Sequence, residues 1–241
     1  MDISIIIPTL NEEEYIGETL NHVYQNLSDK YSWEIILVDN GSQDRTTSLA
    51  KGFIVSIYNK PEFIGKKYLS LNYGAEQAKG KYLMFLDADC RVPKRFDESI
   101  VNILDKKNNV GGAFEFKMAK GGIVFRAIEL INRIRYRITK RYYGDQGVFC
   151  SKEAFEQIGG FPEKPIMETA YFCDILGEAG ELKLIKSKLI SSVRRFEEGG
   201  IIRVMVKDTW IWIQFLLGLD ISKYAPDYWE ENEQRGNDII A

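Results

Sequence analysis

The chain has 241 residues, a net charge of −3 and an apolar content of 45%. That length suits one domain, or one domain with an appendage, and supplies ample material for a core, while the weak charge gives no footing for a nucleic-acid partner. Three scattered cysteines without a Cys-x-x-Cys, and a single histidine, His22, argue against a disulfide framework, a zinc site and a Ser-His-Asp triad.

The N-terminus runs directly into an apolar strand pattern, Ile3 to Ile7, so no signal peptide is expected, and the free cysteines fit a reducing cytoplasm. Pro8 ends that strand, and a helix is predicted from Glu12 to Leu27. Glu34 to Val38 reads as a second strand, Gln43 to Lys51 as a helix, and Phe53 to Tyr58 as a third strand. Lys66 to Lys79 follows as a helix and Lys81 to Leu86 as a fourth, buried strand. This alternation predicts an α/β fold, a mostly parallel sheet flanked by helices. No Gly-x-Gly-x-x-Gly follows the first strand and no Gly-Lys-Ser/Thr occurs, so neither a dinucleotide fold nor a P-loop is supported.

Beyond Lys107 the regularity fades. Gly111 to Met118 reads as a strand and Ile123 to Tyr143 as a long helix. On that helix Val124, Ala127, Ile128, Ile131, Ile134 and Ile138 share an apolar face, with Arg126, Arg133, Arg137 and Lys140 opposite. Gly144-Asp145-Gln146-Gly147 breaks the helix before a short strand at Val148 to Cys150. Met167 to Gly180 is predicted helical, and Leu182 to Ile185 and Leu189 to Val193 are expected as two closing strands. Ile201 to Leu219 forms a helical C-terminal appendage, and the acidic tail from Asp227 to Asn237 is expected to be disordered. The expected division is a catalytic domain over 1–196 and the appendage over 197–241.

Polar residues collect at the carboxyl ends of the predicted strands: Thr9, Asn11 and Glu12 after the first, Asp39, Asn40 and Asp44 after the second, Asp87 and Asp89 after the fourth. Open α/β sheets bind ligands there. Asp87-Ala88-Asp89 offers two carboxylates that can converge on Mg²⁺ or Mn²⁺, with the remaining positions left to a diphosphate. The plainer alternative makes them loop and cap carboxylates before a helix opened by Pro93.

Ile-Ile-Ile-Pro-Thr-Leu-Asn-Glu-Glu (5–13), Val-Asp-Asn-Gly-Ser-Gln-Asp-Arg-Thr (38–46), Asn72-Tyr73-Gly74 and Gly80-Lys81-Tyr82 leading to Asp87-Ala88-Asp89 occur in order. This ordered set resembles the family 2 glycosyltransferases, which have the GT-A fold. Gly144-Asp145-Gln146-Gly147, Gly159-Gly160-Phe161-Pro162, Met167-Glu168 and Arg194-Arg195-Phe196 extend the resemblance, to a small stand-alone bacterial and archaeal subgroup. The resemblance implies transfer of a sugar from a UDP- or GDP-sugar, with inversion, to an acceptor hydroxyl. It implies that Pro8, Thr9 and Glu12 line the nucleoside pocket, with Asn11 beside them, and that Asp39 hydrogen-bonds the base. Asp89 would bind the metal and Asp87 the ribose or the metal shell.

Two departures matter. The family usually carries Glu-Asp where this chain has Glu168-Thr169, and the Asp is taken as the general base. A threonine hydroxyl is not basic near neutral pH, which leaves Glu168, Asp145, or a protein that binds donor without efficient transfer. Many relatives also carry a cation beside Asn72, where this chain has Leu71, so Lys66 or Lys67 would face the diphosphate instead. A non-catalytic donor-binding scaffold is therefore the main rival expectation, and a sugar-phosphate nucleotidyltransferase a lesser one. Arg203, Lys207 and Asp208 interrupt the C-terminal apolar run, so it does not read as a membrane span. Packing on the domain, a homodimer interface and peripheral contact with the inner face of the membrane are the readings left for it. The acceptor is expected to be a glycan or a lipid-linked molecule.

Overall fold

The structure, a computed structural model, describes residues 1–226. The tail expected at Asp227 to Asn237 lies outside the described residues. In chain order the elements are β1 (Ile3–Thr9), α1 (Ile16–Asn26), β2 (Trp33–Asp39), α2 (Thr46–Ala50), β3 (Ser56–Asn59) and α3 (Lys67–Gln77). Then come β4 (Tyr82–Phe85), β5 (Cys90–Arg91), α4 (Phe96–Leu104), β6 (Asn109–Met118) and α5 (Ile123–Thr139). β7 (Phe149–Ser151), α6 (Lys152–Gln157), α7 (Glu168–Ala179), β8 (Glu181–Ser191), α8 (Arg194–Gly199) and α9 (Ile201–Leu216) complete the described chain.

One sheet has the order β3-β2-β1-β4-β7-β6-β8-β5. β3, β2, β1 and β4 are mutually parallel, and β6 runs parallel to β8. β7 lies antiparallel between β4 and β6, and β5 closes the edge antiparallel to β8. Strand alternation sends Ile3, Ile5 and Ile7 to one face, against Ile16, Leu20 and Val23 of α1 and Phe96 and Ile100 of α4. Ile6, Ile36 and Val38 point to the other face, against Tyr68, Leu71 and Ala75 of α3. Gly74 lets α3 sit close to the sheet, because a Cβ there would come 2.4 Å from Ile6 Cγ2. The chain leaves β1 in one direction toward β2 and reaches β4 on the other side. That switch point opens a crevice at the carboxyl ends of β1 and β4.

Three expectations change. The two closing strands are one, β8, with a register irregularity opposite Phe114 and Glu115 that absorbs the break between Ile185 and Lys188. The helix expected at Pro93 begins at Phe96, so Asp87 and Asp89 lie in a tight β4–β5 connection, where the Cys90 N–H donates to the Asp87 carbonyl, 3.3 Å. The long helix α5 is rotated from its predicted orientation. Of its apolar stripe only Ile128 is buried, while Val124, Ile131, Ile134 and Ile138 are exposed. The face turned inward carries Phe125, Ile128 and Tyr136, which join the core against β6. Beside it the buried acid Glu115 on β6 pairs with the half-exposed Arg137, with Arg133 Nε 4.0 Å away.

α9 packs Ile211 and Phe215 against Ile166 and Ala170 at the start of α7. No helix among the described residues is long and apolar enough to cross a membrane.

Candidate active site

The crevice opens into a cleft of about 680 Å³ lined by residues from both halves of the sheet and from α5, α7, α8 and α9. Its floor carries Asp87 and Asp89. Leu86 still pairs with β1 through its N–H to the Ile6 carbonyl, 2.9 Å, which holds the following carboxylates at the sheet edge. Lys67, at the start of α3, places Nζ 2.5 Å from Asp87 Oδ1 and 4.0 Å from Glu168 Oε1. The β5–β8 pairing carries Arg194 to the other side of the floor, where Nε lies 3.6 Å from Asp89 Oδ2. The same guanidinium makes a two-pronged contact with Glu12, one arm 2.6 Å long, and rests over the Tyr15 ring.

Asp145 enters from the opposite wall on the Gly144–Gln146 turn. Gln146 anchors that turn by donating Nε2 to the Phe114 carbonyl, 3.2 Å, and by accepting the Tyr143 N–H, 3.2 Å. Gly144 permits the approach, since a Cβ there would sit 2.7 Å from Asp87 Oδ2 and 2.8 Å from Lys67 Nζ. Glu168 opens α7 and is buried, accepting the Thr169 hydroxyl at 3.2 Å. The α7 N-terminus is positioned by a clip two elements away. Asn72 donates Nδ2 to the Phe161 carbonyl, 2.9 Å, and accepts the Phe161 N–H, 2.8 Å. Phe161 in turn stacks on Phe172 of α7 at 4.0 Å. Replacing Asn72 with Ala strands both backbone groups, so Asn72→Ala is expected to lower stability by about 2 kcal/mol. A reduced urea midpoint at unchanged slope would show it, and an unshifted midpoint would show that the clip contributes nothing.

The electrostatics reflect crowded carboxylates. Burial pushes Asp145 up to about 7, reinforced by the charge of Asp87, and pushes Glu12 up to about 7 even against Arg194. Burial also raises Asp89 and Glu168. Arg194 is held above its ordinary value: burial opposes its charge, but Glu12 and Asp89 favour it more. Such a cluster fits a divalent cation, whose charge would relieve the mutual repulsion. Among the described residues no three His, Cys, Asp or Glu side chains form a metal cage, so Asp87 and Asp89 would hold one side of an ion and leave the rest to a ligand's oxygens. The pH dependence follows in sign. Carboxylates whose folded pKa is raised bind protons that the unfolded chain has already lost, so they withdraw stability as pH rises from about 4 to 7. The same protons compete with a cation. Mn²⁺ affinity in the presence of nucleotide is therefore expected to rise between about pH 6 and 8. A flat profile in a calorimetric series would mean that the raised carboxylates do not face the ion.

Of the residues expected from the sequence, Pro8, Thr9, Glu12, Asp87, Asp89, Asp145 and Glu168 all line the cleft. Three do not. Lys66 is exposed and it is Lys67 that reaches the floor, because the helix phase turns position 67 inward. Asn11 braces a loop: its Oδ1 accepts the Gln43 N–H, 2.9 Å, and its N–H donates to Ser42 Oγ, 2.9 Å. The Asp39 carboxylate accepts the Gly41 and Ser42 N–H groups, the Ser42 hydroxyl and the hydroxyl of Thr9, which itself lines the cleft. Arg194 was visible only as part of an Arg-Arg-Phe string; its place beside Asp89 depends on β8 pairing with β5.

Comparison with known proteins gives the family and the fold. Residues 4–155 match the profile of Glycosyl transferase family 2. Glycosyltransferase AglE of Haloferax volcanii is 32% identical over 169 residues, 66% of this chain and 56% of its own length. The mannosyltransferase PcManGT of Pyrobaculum calidifontis, solved with GDP-Man and Mn²⁺, superposes with a TM-score of 0.62 at 21% identity over 79% of this chain and 56% of that one. Glucosyl-3-phosphoglycerate synthase of Mycobacterium tuberculosis, solved with Mn²⁺, UDP and its glucosylated product, gives 0.64 at 20% identity, covering 91% and 81%. The chain spans about half the length of the curated relatives it matches. With the matched profile covering well over half of the sequence, and the fold shared with its structural neighbours, the chain belongs to glycosyl transferase family 2 and has the GT-A fold.

Proposed function

We propose that the chain transfers a sugar from a UDP- or GDP-sugar to an acceptor hydroxyl, with inversion and with help from Mg²⁺ or Mn²⁺. The observation that carries this reading is the opposition of Asp87 and Asp89 to Glu168 and Asp145 across one cleft, with Lys67 and Arg194 on the floor. The nucleoside end of the donor lies along Pro8, Thr9 and Glu12, over the loop that Asn11 braces, with Asp39 at the end of β2 hydrogen-bonding the base. Lys67 and Arg194 meet the diphosphate as fixed cations. A divalent ion on Asp89 and Asp87, when bound, offsets charge on the departing diphosphate. Its presence in the Mn²⁺ complexes of two structural neighbours supports that cofactor.

The acceptor oxygen forms a bond to the anomeric carbon from the face opposite the diphosphate. The bond from that carbon to the diphosphate oxygen breaks, and its electron pair leaves with the nucleoside diphosphate. Glu168 takes the acceptor proton. It is buried with a raised pKa, which suits a base working near neutrality, and it stands next to the threonine that cannot do so. Asp145 is the second candidate, on the same grounds. Ile202, Val206 and Trp210 face outward from α9, which supports peripheral contact with a membrane surface.

The test is nucleotide release. Incubated with UDP- and GDP-sugars and Mn²⁺, the protein should liberate the matching nucleoside diphosphate, slowly by hydrolysis where no acceptor is present. Nucleotide binding without release from any donor, with or without membrane lipid extract, would support the scaffold reading that Thr169 motivates.

A further inference from the structure

Each of the two carboxylates suited to an ion already has a cation of the chain against it. Lys67 Nζ lies 2.5 Å from Asp87 Oδ1, and Arg194 Nε lies 3.6 Å from Asp89 Oδ2. The two cations come from elements distant in sequence, the first turn of α3 and the start of α8. Both are held there by more than one contact. Lys67 is also 4.0 Å from Glu168 Oε1, and its charge is felt at Asp89 and Asp145. Arg194 gives both terminal nitrogens to Glu12 and rests over the Tyr15 ring, which leaves Nε as the atom nearest Asp89.

A divalent cation on Asp87 and Asp89 would stand next to both of these positive charges. The side chains are mostly withdrawn from solvent, so the repulsion is poorly screened. Among the described residues no third acid completes a cage that would outweigh it. A nucleotide-sugar diphosphate changes the balance, because it carries as much negative charge as the ion carries positive. It offers Lys67 and Arg194 phosphate oxygens in place of carboxylate ones, and the carboxylates they release can face the ion. The flexible stem of Lys67 permits that change of partner by rotation about its own bonds. Arg194 needs to give up only its longer contact, to Asp89, while Glu12 keeps it at the floor.

We propose that Lys67 and Arg194 are resident counter-ions of Asp87 and Asp89, and that they exclude a divalent cation until a diphosphate draws them onto its own oxygens. They are positioning residues for the ion. They make uptake of ion and nucleotide one cooperative event, in which each ligand tightens the other by the same factor. This assignment rests on the donor reading given above and adds the order of loading to it: the nucleotide opens the ion's place. The exchange also runs backwards. When the nucleoside diphosphate leaves, Lys67 and Arg194 return to the carboxylates and loosen the ion. The Glu12 fork gains a role in this, because it holds Arg194 in place through the exchange.

The experiment uses the full chain and follows free Mn²⁺ by its paramagnetic resonance signal. Mn²⁺ is titrated alone and with UDP or GDP, with allowance for the Mn²⁺ that nucleotide binds in solution. In the unaltered chain Mn²⁺ should bind at least about tenfold more tightly with nucleotide than without it. Lys67→Gln and Arg194→Gln should each tighten Mn²⁺ binding without nucleotide by about fivefold or more, and shrink the gain that nucleotide brings. Arg194→Lys keeps the charge and should leave Mn²⁺ alone bound as weakly as in the unaltered chain. A role confined to phosphate contact would leave all the nucleotide-free affinities where they were. Thermal unfolding reports whether each variant folds, and the two positions lie on different elements, so one that fails leaves the other to decide. Unchanged nucleotide-free affinity in the folded Gln variants would overturn the proposal. So would Arg194→Lys binding Mn²⁺ as tightly as Arg194→Gln, or an unaltered chain that binds Mn²⁺ equally well with and without bound nucleotide. Tighter Mn²⁺ binding in the Gln variants of a chain that binds neither UDP nor GDP would instead overturn the donor reading and leave the counter-ion role standing.

Discussion

Asp89→Asn is expected to abolish the metal-dependent part of nucleotide binding and to slow sugar transfer by about a hundredfold or more, the equivalent of several kcal/mol of leaving-group stabilisation. The substitution keeps the size of the side chain and removes its charge. Asp89 is partly buried beside Arg194 and Asp87, so a neutral amide there leaves Arg194 with Glu12 alone as a close acidic partner. Stability should change little or improve, because one of several crowded carboxylates is gone while Glu12 still holds the guanidinium. Asp87→Asn is a milder change by the same logic: Lys67 loses a partner at 2.5 Å, but Glu168 stands 4.0 Å away to share it. Nucleotide titrations with and without Mn²⁺ read the difference directly. Undiminished metal-dependent binding in Asp89→Asn would remove this residue from the ion's coordination.

The second large effect is expected at Glu168. Glu168→Gln should lower kcat by about 10²–10⁴, the usual worth of a positioned general base, while leaving the affinity for nucleotide within a few-fold. The amide still accepts the Thr169 hydroxyl and still fills the same volume at the head of α7, so the clip formed by Asn72 and Phe161 is undisturbed. The pH profile separates Glu168 from Asp145. If Glu168 is the base, Asp145→Asn retains the acidic limb of the rate profile, and Glu168→Gln loses it along with the rate. An unaffected kcat in Glu168→Gln together with a collapsed one in Asp145→Asn would move the proton to the Gly144–Gln146 turn. Thr169→Asp, which restores the Glu-Asp pair, offers the converse check at a position that is buried beside Glu168.

The left half of the sheet was legible because its signals are local. Ile3 to Ile7 and Lys81 to Leu86 are apolar runs bounded by turn residues, and the strands form within a residue or two of them. The clustering of Thr9, Glu12, Asp87 and Asp89 followed from those strand ends alone. What escaped depends on partners distant in sequence. Arg194 reaches Glu12 across 182 residues only because β8 pairs with β5 and β6. The orientation of α5 follows from Phe125, Ile128 and Tyr136 packing into the core beside β6, a contact that helical periodicity alone does not contain. Asp39 was visible as an acid after a strand, but the three hydrogen bonds its carboxylate accepts from its own loop and the one from Thr9 depend on where Ser42 and Thr9 point. Lys66 and Lys67 differ by one position, about 100° of helix phase, which the sequence around a helix start does not fix.

Calorimetric titration of the purified chain with UDP and with GDP, each with and without Mn²⁺, tests the central claim most directly. The account predicts that one of the two nucleotides binds, that Mn²⁺ strengthens the binding, and that Asp89→Asn removes the strengthening. A folded chain that binds neither nucleotide with Mn²⁺ present would contradict it, and would leave a GT-A sheet whose cleft serves some other ligand.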